Sequence, residues 1–176
     1  FMRINEATRL RRRGWDQGYA IGLGAAAGVG SLLQLPIARI ADGLAITSVG
    51  SVPMRATSAG KLSLWKGAAT AYAIRNAVFG MLLAAEGMTG PDRPVEGRHG
   101  LWEQITGPFE LGELGGRGGD FRMLAVRQKY WPVEGGAQGV VWAALQLRTL
   151  VALDDIERID VTLPWAAWHE IASEAE

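Results

Sequence analysis

Two lysines beside helix starts are the residues best placed to do chemistry. Lys66 stands in the first turn of an expected helix, where a cation opposes the helix dipole at a cost of about 0.3 to 1 kcal/mol when exposed. An ammonium and free backbone N–H groups aimed at the same space form an anion site suited to a carboxylate. The competing reading is a side chain that lies along Trp65 with its charged head in water. Lys129 repeats the arrangement: it ends an expected strand, and Pro132 turns the chain toward a helix that starts near Gly136. Together the two would clamp a substrate with more than one carboxylate, although chance spacing gives the same pattern. Arg55 sits in a loop rich in Ser, Gly and Pro. Asp16 precedes the first long helix, as an N-cap or as a catalytic carboxylate. Glu134 and Gln138 flank Gly135 and Gly136, as helix caps or as substrate contacts. Arg75, inside an apolar helix, is either buried with a partner or on a narrow exposed stripe.

Other chemistries are excluded by reading. The chain has no cysteine, hence no thiolate nucleophile, no disulfide framework and no cysteine-held iron–sulfur cluster. Its two histidines, His99 and His169, lack the close partner that a zinc site needs, so no metal is expected. No G-x-S-x-G elbow occurs, and Gly60-Lys61 lacks the upstream glycine and the following hydroxyl residue of a phosphate loop. Gly22-Leu23-Gly24 has no strand before it, which a dinucleotide turn requires.

Among the elements that hold these residues, apolar and small side chains without polar periodicity predict a buried helix over 17–35. Pro36 opens a second helix over 36–47. The third runs over 64–86, with Gly87 where a left-handed C-cap belongs. Residues 1–88 therefore read as part of an all-helical domain. Residues 89–119, with three prolines and nine glycines, read as a linker carrying one short amphipathic stretch over 101–105. Residues 120–176 read as part of a smaller α/β domain: strand over 121–127, helix over 136–153, alternating strand over 156–163 and a last helix from Pro164. The expected class is α+β. Because the chain opens on Phe1 in mid-pattern and one strand-helix-strand unit cannot cover its own sheet, it is expected to be a central piece of a longer protein.

The balance of 18 basic and 18 acidic residues gives no global field to recruit nucleic acid. The arginines at 3, 9, 11, 12 and 13 lack interleaved aromatic residues and read as a solvated helix or loop. Residues 18–38 carry no charge and approach a membrane span in length, but their Gly and Ala content favours close packing in a core, so no membrane is expected. A cytoplasmic location fits the missing cysteines.

Arg13-Gly14-Trp15-Asp16-Gln17-Gly18, Ser51-Val52-Pro53-Met54-Arg55, Leu64-Trp65-Lys66-Gly67-Ala68-Ala69, Ala73-Ile74-Arg75-Asn76-Ala77-Val78-Phe79 and Glu86-Gly87-Met88-Thr89-Gly90-Pro91 stand in the order of the MmgE/PrpD family, which the chain resembles. Lys129-Tyr130-Trp131-Pro132-Val133-Glu134 with Gln138 resembles the family's K-x-[FYW]-P-x-E signature. The resemblance implies a helical domain with a smaller α/β domain, a homodimer, and cofactor-free lyase chemistry on a di- or tricarboxylate, typically dehydration of 2-methylcitrate. It implies Lys66 and Lys129 as catalytic cations, with Lys61 as a rival to Lys66, and Asp16, Arg55, Lys61, Glu134 and Gln138 as substrate contacts. Some relatives have His at the place of Asp16, and many have Tyr-His where this chain has Gly135-Gly136. These departures leave a decarboxylase of the same family, or a non-catalytic binding paralogue, as alternatives.

Overall fold

The structure is a computed structural model that describes residues 1–171 apart from 115, 117 and 118. It divides into two compact units, Phe1–Ala125 and Val126–Glu176.

The first unit is built on α1 (Met2–Thr8), α2 (Gly18–Leu32), α3 (Ile37–Gly50) and α4 (Trp65–Ala85). The last three pack on one another. They approach closely because their facing positions are small: Gly18, Gly22, Ala26 and Gly30 of α2 and Ala69, Ala73, Ala77 and Gly80 of α4 are buried or nearly so. Met81 fills the space that Gly30 and Gly43 leave, and is fully buried. A flexible thioether suits such an irregular gap. By length and composition α4 would also span a membrane, but its buried stripe is equally that of a core helix.

Helix ends follow the sequence signals. Pro36 occupies the N-cap of α3. After α4, Gly87 takes φ +99°, and the Gly87 and Met88 N–H groups donate to Ala84 O and Leu83 O at 3.0 Å each. This is a Schellman closure, which satisfies carbonyls that the helix end leaves free. The chain then crosses α3. Asp42 Oδ1 accepts the Gly90 N–H at 3.1 Å, and Arg39 donates to Gly87 O at 3.3 Å.

Residues 94–109 fold back onto the rest of this unit. Leu101 is buried with Leu10 and Tyr19, and Trp15, Val52, Val95, Ile105 and Phe109 pack around them. The amphipathic stretch forms a single π-helical segment, Trp102–Thr106. Arg13 Nη1 donates to Ile105 O at 3.0 Å, so one of the early arginines serves this packing.

The second unit holds a short 3-10 turn Gly135–Ala137, α5 (Gln138–Leu147), another 3-10 turn Leu153–Asp155 and α6 (Trp165–Ile171). The last helix packs on the Gly135–Ala137 turn; residues 172–176, where that helix is also expected, lie outside the described residues. None of the unit's described residues is buried.

The expected α+β class is corrected here, because among the described residues there is no strand and no sheet, only helices and turns. In place of the strand over 121–127, Arg122–Ala125 is a 3-10 turn closed by Leu124 N–H to Phe121 O at 3.0 Å. Arg122 reaches Glu6 with two hydrogen bonds of 2.7 and 3.2 Å, a bidentate side-chain attachment that needs no ladder. In place of the strand over 156–163, Ile156 is extended at φ −93°, ψ 108°, and the residues after it form no ladder. Alternation assigns two faces to a segment but supplies no partner, and an unpaired strand leaves its N–H and C=O groups to water.

Candidate functional site

Within the first unit, an antiparallel bridge joins Trp15 to Met54. The Asp16 N–H donates to Pro53 O at 2.8 Å and the Arg55 N–H to Gly14 O at 3.0 Å, which brings the two predicted residues onto adjoining stretches of backbone. Asp16 is 5% exposed. Its Oδ1 accepts the Gly18 N–H, the first of α2, at 3.0 Å, so the carboxylate satisfies a free donor at the positive end of the helix dipole. The Ser58 hydroxyl lies 3.5 Å from Asp16 Oδ2 and 3.4 Å from Arg55 O. Arg55 is half-buried and donates to Arg11 O at 3.3 Å. Asp16 thus binds the first N–H of α2 from the position before that helix's N-cap, Gln17.

Lys66 is the second residue of α4. Its N–H and that of Gly67 donate to Ser63 O at 3.2 Å and Leu64 O at 3.1 Å, so two donors at this helix start are already used. Its side chain is exposed and makes no ion pair among the described residues, as is also true of Lys61. Arg75 is exposed, its guanidinium 5.7 Å from the centre of the Tyr72 ring.

In the second unit the signature segment is held from one side by Gln138, the first residue of α5. Its Oε1 accepts the N–H groups of Tyr130 at 3.1 Å and Trp131 at 3.0 Å. Its Nε2 donates to Trp131 O at 2.8 Å and Val133 O at 3.2 Å. Glu134 accepts the Gly136 N–H and caps the turn that leads into α5. Tyr130, Trp131 and Trp142 cluster with ring centres 4.9 to 6.4 Å apart. Lys129 is exposed at the head of this segment, without an ion pair among the described residues. The structure thus groups Asp16 with Arg55, and Glu134 with Gln138 behind Lys129, and leaves Lys61 and Lys66 projecting into water.

A cleft of about 520 Å³ lies between residues 50–57 and α4. Ser51, Thr57, Ser63, Trp65, Tyr72 and Asn76 give it its polar and aromatic lining. Ser51, Tyr72 and Asn76 are not among the predicted site residues, although the spacing of Trp65, Ala69, Tyr72, Ala73 and Asn76 marks one face of a helix. A larger cavity of about 1020 Å³ is lined mostly by apolar residues, Leu23, Leu44, Val95 and Leu114 among them, and by none of the predicted site residues.

Comparison with curated proteins and with solved structures returned no match. The profile of the MmgE/PrpD N-terminal domain matches residues 2–114, a stretch that contains the Trp15–Met54 bridge, the three packed helices and Lys66. The chain therefore belongs to the MmgE/PrpD family.

Proposed function

We propose that this chain serves a cofactor-free carbon–oxygen lyase acting on 2-methylcitrate or a similar tricarboxylate. The observation that carries the reading is the family match over residues 2–114. Lys66 and Lys129, both exposed and neither in an ion pair among the described residues, support it.

Dehydration of such a substrate removes a proton from a carbon next to a carboxylate, and the pair of electrons left behind expels the hydroxyl group, which leaves as water after taking a proton. The carbon acid is weak because the adjacent carboxylate already carries charge. Cations placed where negative charge develops lower that barrier. Lys66 and Lys129 have this role, with Lys61 a further cation of the first unit. Asp16 and Gln138 act behind them, the first by fixing the start of α2 and the second by fixing the segment that carries Lys129.

The test is dehydration of 2-methylcitrate and of citrate by the whole open reading frame, followed by the ultraviolet absorbance of the unsaturated product. Lys66→Ala and Lys129→Ala are each expected to lower kcat by roughly 100- to 1000-fold, the usual loss for one charge-stabilising donor, with the circular dichroism unchanged. A folded protein inactive on both substrates would overturn the lyase reading. Full activity in both variants would overturn the roles of the lysines.

A further inference from the structure

The cleft between residues 50–57 and α4 has a chemistry that the lysines do not use. None of its lining side chains is charged. A carboxylate seated there would meet no cation in the lining, and Arg75, 5.7 Å from the centre of the Tyr72 ring, lies outside it, so the lining itself favours an uncharged ligand over a tricarboxylate. Its wall is the edge-to-face pair Trp65 and Tyr72, with ring centres 5.4 Å apart and planes at 61°. The half-buried Asn76 spends one amide N–H on Ser51 Oγ, at 3.1 Å. The other N–H and the carbonyl oxygen have no partner among the described residues. An amide with a donor and an acceptor to offer complements a ligand that carries both, as a second amide does. The volume, about 520 Å³, is that of a small-molecule site, and an apolar wall with a few convergent polar groups is the usual make-up of one.

We propose that this cleft binds an uncharged aromatic or heteroaromatic primary carboxamide, the ring against Trp65 and Tyr72 and the amide on Asn76. The site lies wholly in the first unit and uses neither Lys66 nor Lys129, so it stands or falls apart from the lyase reading.

Benzamide is the probe, and saturation-transfer NMR on the whole protein the readout. Benzamide is expected to receive saturation from the protein, and benzoate, its charged isostere, to receive none. Asn76→Asp replaces the free donor with an acceptor and is expected to weaken benzamide binding by about tenfold, the loss of one or two hydrogen bonds. Trp65→Phe, which keeps an aromatic wall, is expected to retain binding, and Trp65→Ala to lose it; circular dichroism checks that each variant is folded. 2-Methylcitrate is expected not to displace the probe. Absence of transfer to benzamide, equal transfer to benzoate, unchanged binding in Asn76→Asp, or displacement by 2-methylcitrate would each overturn the assignment.

Discussion

A primary amide has two acceptor positions and two donors, and all four of Gln138's are taken by the backbone of Tyr130, Trp131 and Val133. The side chain therefore ties the start of α5 to the segment that follows Lys129. Gln138→Leu, of similar volume, is expected to speed amide hydrogen exchange at Tyr130 and Trp131, whose N–H groups would then face water. Unchanged exchange at both would remove Gln138 from this role. Asp16 is a similar case in the first unit. Asp16→Ala strips the Gly18 N–H of its acceptor and is expected to cost about 1 kcal/mol, within the 0.5 to 2 kcal/mol usual for a cap, while Asp16→Asn restores most of it. Urea midpoints of the two variants measure this; equal losses would show that the negative charge matters more than the hydrogen bond.

Helices carry their signals locally, which is why they were readable in the residues. Small residues at facing positions, Pro36 at a start and Gly87 at an end each act within one or two turns. The segments read as strands needed a partner elsewhere, and no local pattern specifies one. The return of residues 94–109 to the Tyr19 cluster was equally illegible, because the glycines and prolines of that stretch describe its turns and not its destination. At the site, the blocks around Asp16 and Arg55 were legible as separate motifs, but their joining through the Trp15–Met54 bridge is a contact across the fold. A test of the element-level packing lies at Gly90. A Cβ there would stand 2.6 Å from both Ala45 Cβ and the Asp42 carbonyl oxygen, and backbone cannot rotate away as a side chain does. Gly90→Ala is expected to lift the segment from α3, break its hydrogen bond to Asp42 and destabilise the first unit by about 1 to 3 kcal/mol, read from a denaturant midpoint. A midpoint equal to the parent's would mean that the segment yields at no cost.

At the scale of the whole molecule, all of the buried residues described belong to the first unit, and Tyr19 is the largest of those fully buried. Burial raises its phenol pKa above the ordinary 10.0, and the hydrogen bond with Ser48 Oγ at 2.7 Å opposes that shift only in part. Below pH about 10 the phenol is protonated in both the folded and the unfolded chain, so its preference for the neutral form is fully present as stability. Above that pH the unfolded chain releases the proton while the folded chain keeps it, and the contribution is lost as pH rises toward and through the folded value. Tyr19→Phe removes this titration but leaves the buried Ser48 hydroxyl without its partner, at a cost on the order of 1 kcal/mol. The variant should therefore melt lower than the parent at neutral pH, and the gap in Tm should narrow once pH passes 10.0. A gap that stays constant across that range would mean that Tyr19 ionises alike in the folded and unfolded chain, and that burial in the Leu10, Tyr19 and Leu101 cluster leaves its titration unchanged.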